Sequence, residues 1–86
     1  MKNIILELDI EEYHLTFFNN SKKQLSLKVE NKSSNFFDRI VRIKKEGRIW
    51  QFKYSTVKQW VNFTNRISLK ALEIFERKQK LEKLLS

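Results

Sequence analysis

The sequence predicts an α+β fold: an antiparallel sheet of four to five strands followed by one long C-terminal helix, a ββββα-like order. Two observations carry this reading. Up to residue 54 apolar and polar residues alternate, the period of half-buried strands. From Thr56 onward apolar residues recur at threes and fours, the period of an amphipathic helix. The chain has one glycine, Gly47, and no proline, so its turns are read from Asn, Ser and Lys clusters.

Each element follows from its own stretch. In "IILELDI" one face carries Ile4, Leu6, Leu8 and Ile10, while Glu7 and Asp9 point away. "EYHLTFF" puts Tyr13, Leu15 and Phe17 on one side and His14, Thr16 and Phe18 on the other. "NNSKK" (19–23) is a turn. "QLSLKVE" sends Leu25, Leu27 and Val29 inward and Gln24, Ser26, Lys28 and Glu30 outward. After the loop "NKSSN" (31–35), "FFDRIVRIKK" sets Phe37, Val41 and Ile43 against Ile40, Arg42 and Lys44. "KEGR" (45–48) closes a hairpin in which Gly47 supplies the left-handed position. In the last strand, "IWQFKY", Trp50, Phe52 and Tyr54 share a face. They are assigned to the core, against the helix, because large aromatics bury the most area in a small domain. A stacking platform is the alternative role for them.

Thr56 with Gln59 three residues later fits a capping box and places the helix start. Val57, Trp60, Val61, Ile67, Ala71, Ile74, Phe75, Leu81 and Leu85 then form the apolar stripe, with Trp60 as core. The single domain, 1–86, thus divides into a sheet over 1–54 and a helix over 56–85. Thirty helical residues would span roughly 45 Å, whereas a seven-residue strand covers about 23 Å. The helix therefore breaks near "NRIS" (65–68), or its second half packs against another molecule. A chain of 86 residues is also close to the size at which one core is marginal, which favours a homodimer through the helix. In the tail, Glu73–Arg77 and Glu76–Lys80 are spaced for ion pairs one turn apart. Leu81, Leu84 and Leu85 are left for dimer packing or a partner groove.

Charge narrows the function. The net charge is +8, and it is unevenly spread. Lys2 stands alone against Glu7, Asp9, Glu11 and Glu12, whereas seven cations between Arg39 and Lys58 face only Glu46. Such an excess attracts polyanions, nucleic acid first and an acidic protein face or anionic lipid after it. Solubilising surface charge is the plainer explanation of the same residues. There is no cysteine, hence no disulfide and no thiolate metal site. The lone histidine, His14, has no second ligand beside it and is read as a surface residue. Asp38 and Glu46 lie at opposite ends of one strand, about 26 Å apart, too far to hold a nuclease metal together. No nucleophile, base and orienting group assemble, so neither an enzyme nor a cofactor is expected. No apolar run approaches the ~20 residues of a membrane span, and the N-terminus does not read as a signal peptide, so a cytoplasmic protein is expected.

With one sheet face under the helix, the other would present Thr16, Phe18, Gln24, Ser26, Lys28, Ile40, Arg42, Lys44, Ile49, Gln51 and Lys53. Cations, amides and hydroxyls with scattered apolar groups are what single-stranded nucleic acid requires. A solvated sheet face needs no partner at all. The stretches "YHLTFFNNSKKQLSLKVEN", "FFDRIVRIKKEGRIWQFKY" and "TVKQWVNFTNRI" together resemble the Pur/Whirly superfamily of single-stranded nucleic-acid binders. Its relatives include the positive-cofactor-four type and the short bacterial Pur-alpha-like proteins. The resemblance spans residues 13–75. This chain adds an acidic N-terminal strand, lacks a glycine in the first hairpin turn and has a longer helix. The resemblance implies a dimer whose strands line a groove for single-stranded DNA or RNA. By position it implies Phe18, Lys22 and Lys23 on the first hairpin, Ser26 and Lys28 on the next strand, Arg42 and Lys44 on the third and Lys53 on the fourth as binding residues. The rival expectation is a small inhibitor or adaptor, of phage or plasmid type, that sets the basic face against an acidic partner.

Overall fold

A computed structural model describes residues 3–85, and their side chains apart from those of 34–38 and 85. Phe37, Asp38 and Leu85, placed above in the core, beside the basic strand and on the helix stripe, lie outside the described side chains. The strands are β1 (Asn3–Ile10), β2 (Tyr13–Asn19), β3 (Leu25–Asn31), β4 (Ser34–Glu46), β5 (Ile49–Lys53) and β6 (Val61–Asn62), and α1 (Arg66–Leu85) closes the chain. Each strand pairs antiparallel with its neighbour in sequence, so the sheet is a simple meander. The fold is α+β, an antiparallel sheet followed by one helix, with six strands rather than four to five.

Register sorts the side chains between two faces. Leu6, Phe17, Leu27 and Val41 stand in line across four strands, with Leu8, Leu15 and Val29 in the next row. These residues meet Ile67, Ala71, Leu72 and Phe75 of α1 to form the core. The Phe17 and Phe75 rings stack at 4.4 Å. Trp50 packs edge-on to Phe75 at 6.2 Å, and its indole Nε1–H donates to Glu76 Oε1 at 2.9 Å. Glu76 also takes Lys45, the cross-strand partner of Trp50. Lys45 comes first and Trp50 adds to it in holding the Glu76 carboxyl below its usual pKa, while partial burial opposes them. Trp50, Phe52 and Tyr54 are therefore on the helix side, half-buried against the core, as expected.

Three turns are built by local chemistry. Glu11, at φ 55°, opens the two-residue β1–β2 turn, and Arg66 at the helix start donates to both of its carboxylate oxygens at 3.1 Å. In the β2–β3 loop the backbone N–H groups of Lys22 and Gln24 donate to Asn20 Oδ1, a local turn of the kind asparagine favours. Gly47, at φ 64°, begins the β4–β5 turn, the conformation that costs glycine least.

Two expectations need correction. A bulge between Ile4 and Leu6 breaks the alternation of β1. Ile4 then pairs with Phe18 and lies on the face away from α1, 61% exposed, while Ile5 packs toward the core. The larger correction concerns the helix, which starts at Arg66 and not at 56. Its twenty residues span about 30 Å. Asn65 is the cap: its Oδ1 accepts from Ser68 N–H at 3.1 Å, and its carbonyl from Leu69 N–H at 3.0 Å. The stretch "TVKQWVNFTN" is rich in β-branched and aromatic residues, which favour extended chain, whereas strong helix formers dominate from Leu69 onward. Propensity and pairing with β5 outweigh a spacing that fits threes and fours. No helix precedes "NRIS" among the described residues, so nothing breaks there; an extended segment gives way to the helix at Arg66.

This cap assignment predicts that Asn65→Ala costs about 1 kcal/mol, whereas Thr56→Ala, in an exposed turn, stays within about 0.5 kcal/mol. Urea unfolding of the two variants checks both values.

Candidate nucleic-acid interface

Pairing places the residues of the uncovered face in transverse rows. Ile4, Phe18, Ser26, Arg42 and Lys53 form one row across β1 to β5. Glu7, Thr16, Lys28 and Ile40 form a second, and Asp9, His14 and Glu30 a third. On the other side of the long row lie Lys44, Gln51 and Asn62. Because Phe52 pairs with Val61 and Gln51 with Asn62, the residue beside Lys53 is Trp60. That tryptophan is therefore on the basic face, not in the helix core where the sequence put it.

Trp60 gathers the cations. The Arg42 guanidinium carbon, Lys44 Nζ and Lys53 Nζ lie 5.5, 4.6 and 5.4 Å from the centre of its ring. Contacts of this kind are worth about 0.5–1 kcal/mol each at exposed sites. They orient a cation without neutralising it, and they leave its N–H groups able to donate. Lys44 has a long ion pair with Glu46 at 3.7 Å; among the described residues Arg42 and Lys53 face no carboxylate within 4.0 Å. Arg42 Nε is buried and has no hydrogen-bond partner. Gln51 Nε2 donates to Asn62 Oδ1 at 2.8 Å and ties β6 to the sheet beside this cluster.

The residues expected to bind nucleic acid separate into three groups. Arg42, Lys44 and Lys53 converge on Trp60. Phe18, Lys22 and Ser26 join Arg42 and Lys53 around a groove of about 530 Å³ between the β2–β3 loop and β4–β5. Phe18 is only 3% exposed and Ser26 2%, so they form the floor, and Phe18 offers no open ring for stacking. Ser26 Oγ–H donates to the Gln24 carbonyl at 3.2 Å. Lys28 and Lys23 are not part of this assembly. Lys28 pairs with Glu30 at 2.8 Å, and Lys23 sits exposed at the loop with φ 59°. The sequence did carry a signal for the missed Trp60. In "WVNF" Trp60 and Asn62 alternate with Val61 and Phe63, which is strand spacing.

The opposite end of the face is acidic and largely self-compensated. His14 Nδ1 donates to Asp9 Oδ1 at 2.7 Å, and its Nε2 is 3.7 Å from Glu7. The Asp9 hydrogen bond raises the His14 pKa above its usual value, against partial desolvation. The Asp9 carboxyl is lowered in turn, chiefly by His14, with Lys32 adding to it. Lys28 does the same for Glu30. The uncovered face thus runs from the paired carboxylates of β1 and β3 to the Arg42, Lys44 and Lys53 cations of β4 and β5.

No helix among the described residues is long and apolar enough to cross a membrane. Comparison with known proteins found no matching family model, no matching curated protein and no matching solved structure.

Followed by NMR, His14 should titrate above the ordinary histidine value, 6.5, and Asp9→Asn should bring its midpoint down. A histidine whose pKa is raised on folding contributes stability that is full below the unfolded value and is lost as pH rises through the folded one. The Asp9–His14 contribution should therefore fade on going from mildly acidic to alkaline buffer, and Asp9→Asn should flatten that part of the pH–stability curve.

Proposed function

We propose that the protein binds single-stranded DNA or RNA on the β4–β6 half of its uncovered face, by electrostatic capture and modest stacking. The observation that carries this reading is the convergence of Arg42, Lys44 and Lys53 on Trp60, with Arg42 and Lys53 facing no carboxylate within 4.0 Å among the described residues. A structural cluster of like charges is normally quenched by acids, as Lys28, Lys32 and His14 are at the other end of the face. Here the negative charge is left for a ligand to supply. Duplex readers more often insert a helix into the major groove, whereas α1 is committed to the core along Ile67, Ala71, Leu72 and Phe75. The strands-then-helix order is in keeping with the Pur/Whirly resemblance. Exposed Leu69, Leu81 and Leu84 on α1 favour pairing of two copies through the helix.

In fluorescence anisotropy with labelled 20-mers, single strands should bind more tightly than the duplex. Affinity should fall with salt at a slope of about 0.7 per neutralised phosphate. Arg42→Ala combined with Lys44→Ala should weaken binding and reduce that slope by roughly 1.4, with the far-UV spectrum unchanged. Absence of binding to any strand at low salt would overturn the reading and make an acidic protein face the better partner.

A further inference from the structure

The groove beside Trp60 carries the proposed function one step further, from a basic face to a pocket for one nucleotide. Its lining includes Lys22, Arg42 and Lys53 and, among the described residues, no acid. At about 530 Å³ it falls in the range of small-ligand sites, roughly 300–1,000 Å³. Arg42 lines the groove, and its Nε is a buried donor with no acceptor, so the guanidinium has unused hydrogen-bonding capacity that an anion could draw on if the side chain turns toward it. The Trp60 ring holds the guanidinium that bears this donor, and it also holds Lys53, the direct cross-strand partner of Arg42.

A bare anion would not need the rest of the lining. Ile40 is 47% exposed in the middle of a cationic surface, and with Phe18 it gives the groove an apolar side. The rim carries the Ser21 and Ser55 hydroxyls and the Gln24 amide. Gln24 Oε1 already accepts from Asn20 Nδ2 at 3.0 Å, which leaves the Gln24 amide N–H groups to donate elsewhere. Cations for a phosphate, an apolar wall for a flat ring and hydrogen-bonding groups at the edge together describe a nucleotide.

We propose that this groove seats one nucleotide of the bound strand, its phosphate on Arg42 and Lys53 and its base against Ile40. The proposal rests on the single-strand reading above, and it can fail while that reading stands. The long row from Phe18 to Trp60 crosses four strand spacings, about 19 Å, so the strand runs across the sheet with this pocket toward its β2–β3 end.

The test is an NMR titration of the full chain with thymidine 5′-monophosphate, inorganic phosphate and a thymidine 12-mer, read at Arg42 Nε–Hε and the Ile40 methyls. The monophosphate should shift both sets saturably, whereas phosphate should shift Arg42 alone. Ile40→Ala, at an exposed position, should weaken the monophosphate by roughly tenfold and leave phosphate unchanged. Equal effects of that substitution on both ligands would reduce the pocket to an anion site and overturn the proposal. An unmoved Arg42 signal with the 12-mer still bound would overturn the pocket alone. If the 12-mer does not bind either, the pocket and the single-strand reading fall together.

Discussion

The basic face depends on the pairing of the two-residue strand β6 with β5. Without it the chain after Tyr54 would have no reason to return across the sheet edge, and Trp60 would not reach Lys53. The pairing is short, and few bonds secure it: Phe63 N–H donates to the Trp50 carbonyl at 3.0 Å, and Gln51 and Asn62 bond side chain to side chain. The cap at Asn65 then ends the extended segment and starts the helix in the correct place. Arg42 and Lys53 are direct cross-strand partners of like charge, an arrangement that opposes sheet formation. The indole ring that both approach offsets part of that repulsion while leaving both cations charged. Trp60 and its cations thus hold each other in place.

The two faces of the sheet divide the work. On the helix side Phe17 and Phe75 stack, and Trp50, Lys45 and Glu76 join strand to helix. That side supplies most of the buried apolar surface, the main source of stability in so small a domain. The other side is free to carry charge, and it does so with polarity. Acids on β1 and β3 have basic partners, whereas Arg42 and Lys53 on β4 and β5 face no carboxylate within 4.0 Å among the described residues. A flexible polyanion approaching this face would be attracted more strongly to the cationic half than to the self-compensated one.

Much of the fold was legible because period-two alternation leaves few choices for a strand with one buried face. Leu15 and Phe17, Leu25 and Leu27, and Val41 and Ile43 all lie where the alternation puts them, as do Trp50, Phe52 and Tyr54. Ile4 does not, because a bulge adds a residue that no spacing rule reveals. The helix start was misplaced because Val57, Trp60 and Val61 fit threes and fours by coincidence, while propensity and the Asn65 cap pointed to a later start. Arg42, Lys44 and Lys53 were legible as outward cations on adjacent strands. Their convergence was not, since it depends on Trp60 and hence on β6. The burial of Phe18 was also hidden, because alternation tells which face a residue occupies and not how deeply it sits there.

The most direct test of this arrangement is ion quenching of tryptophan fluorescence in Trp50→Phe, which leaves Trp60 as the only tryptophan. Iodide and caesium are compared at matched ionic strength. Three cations around the indole should concentrate iodide and exclude caesium, so iodide should quench much more strongly. Weak and equal quenching by both ions, with blue-shifted emission, would place Trp60 in the apolar core and contradict the account.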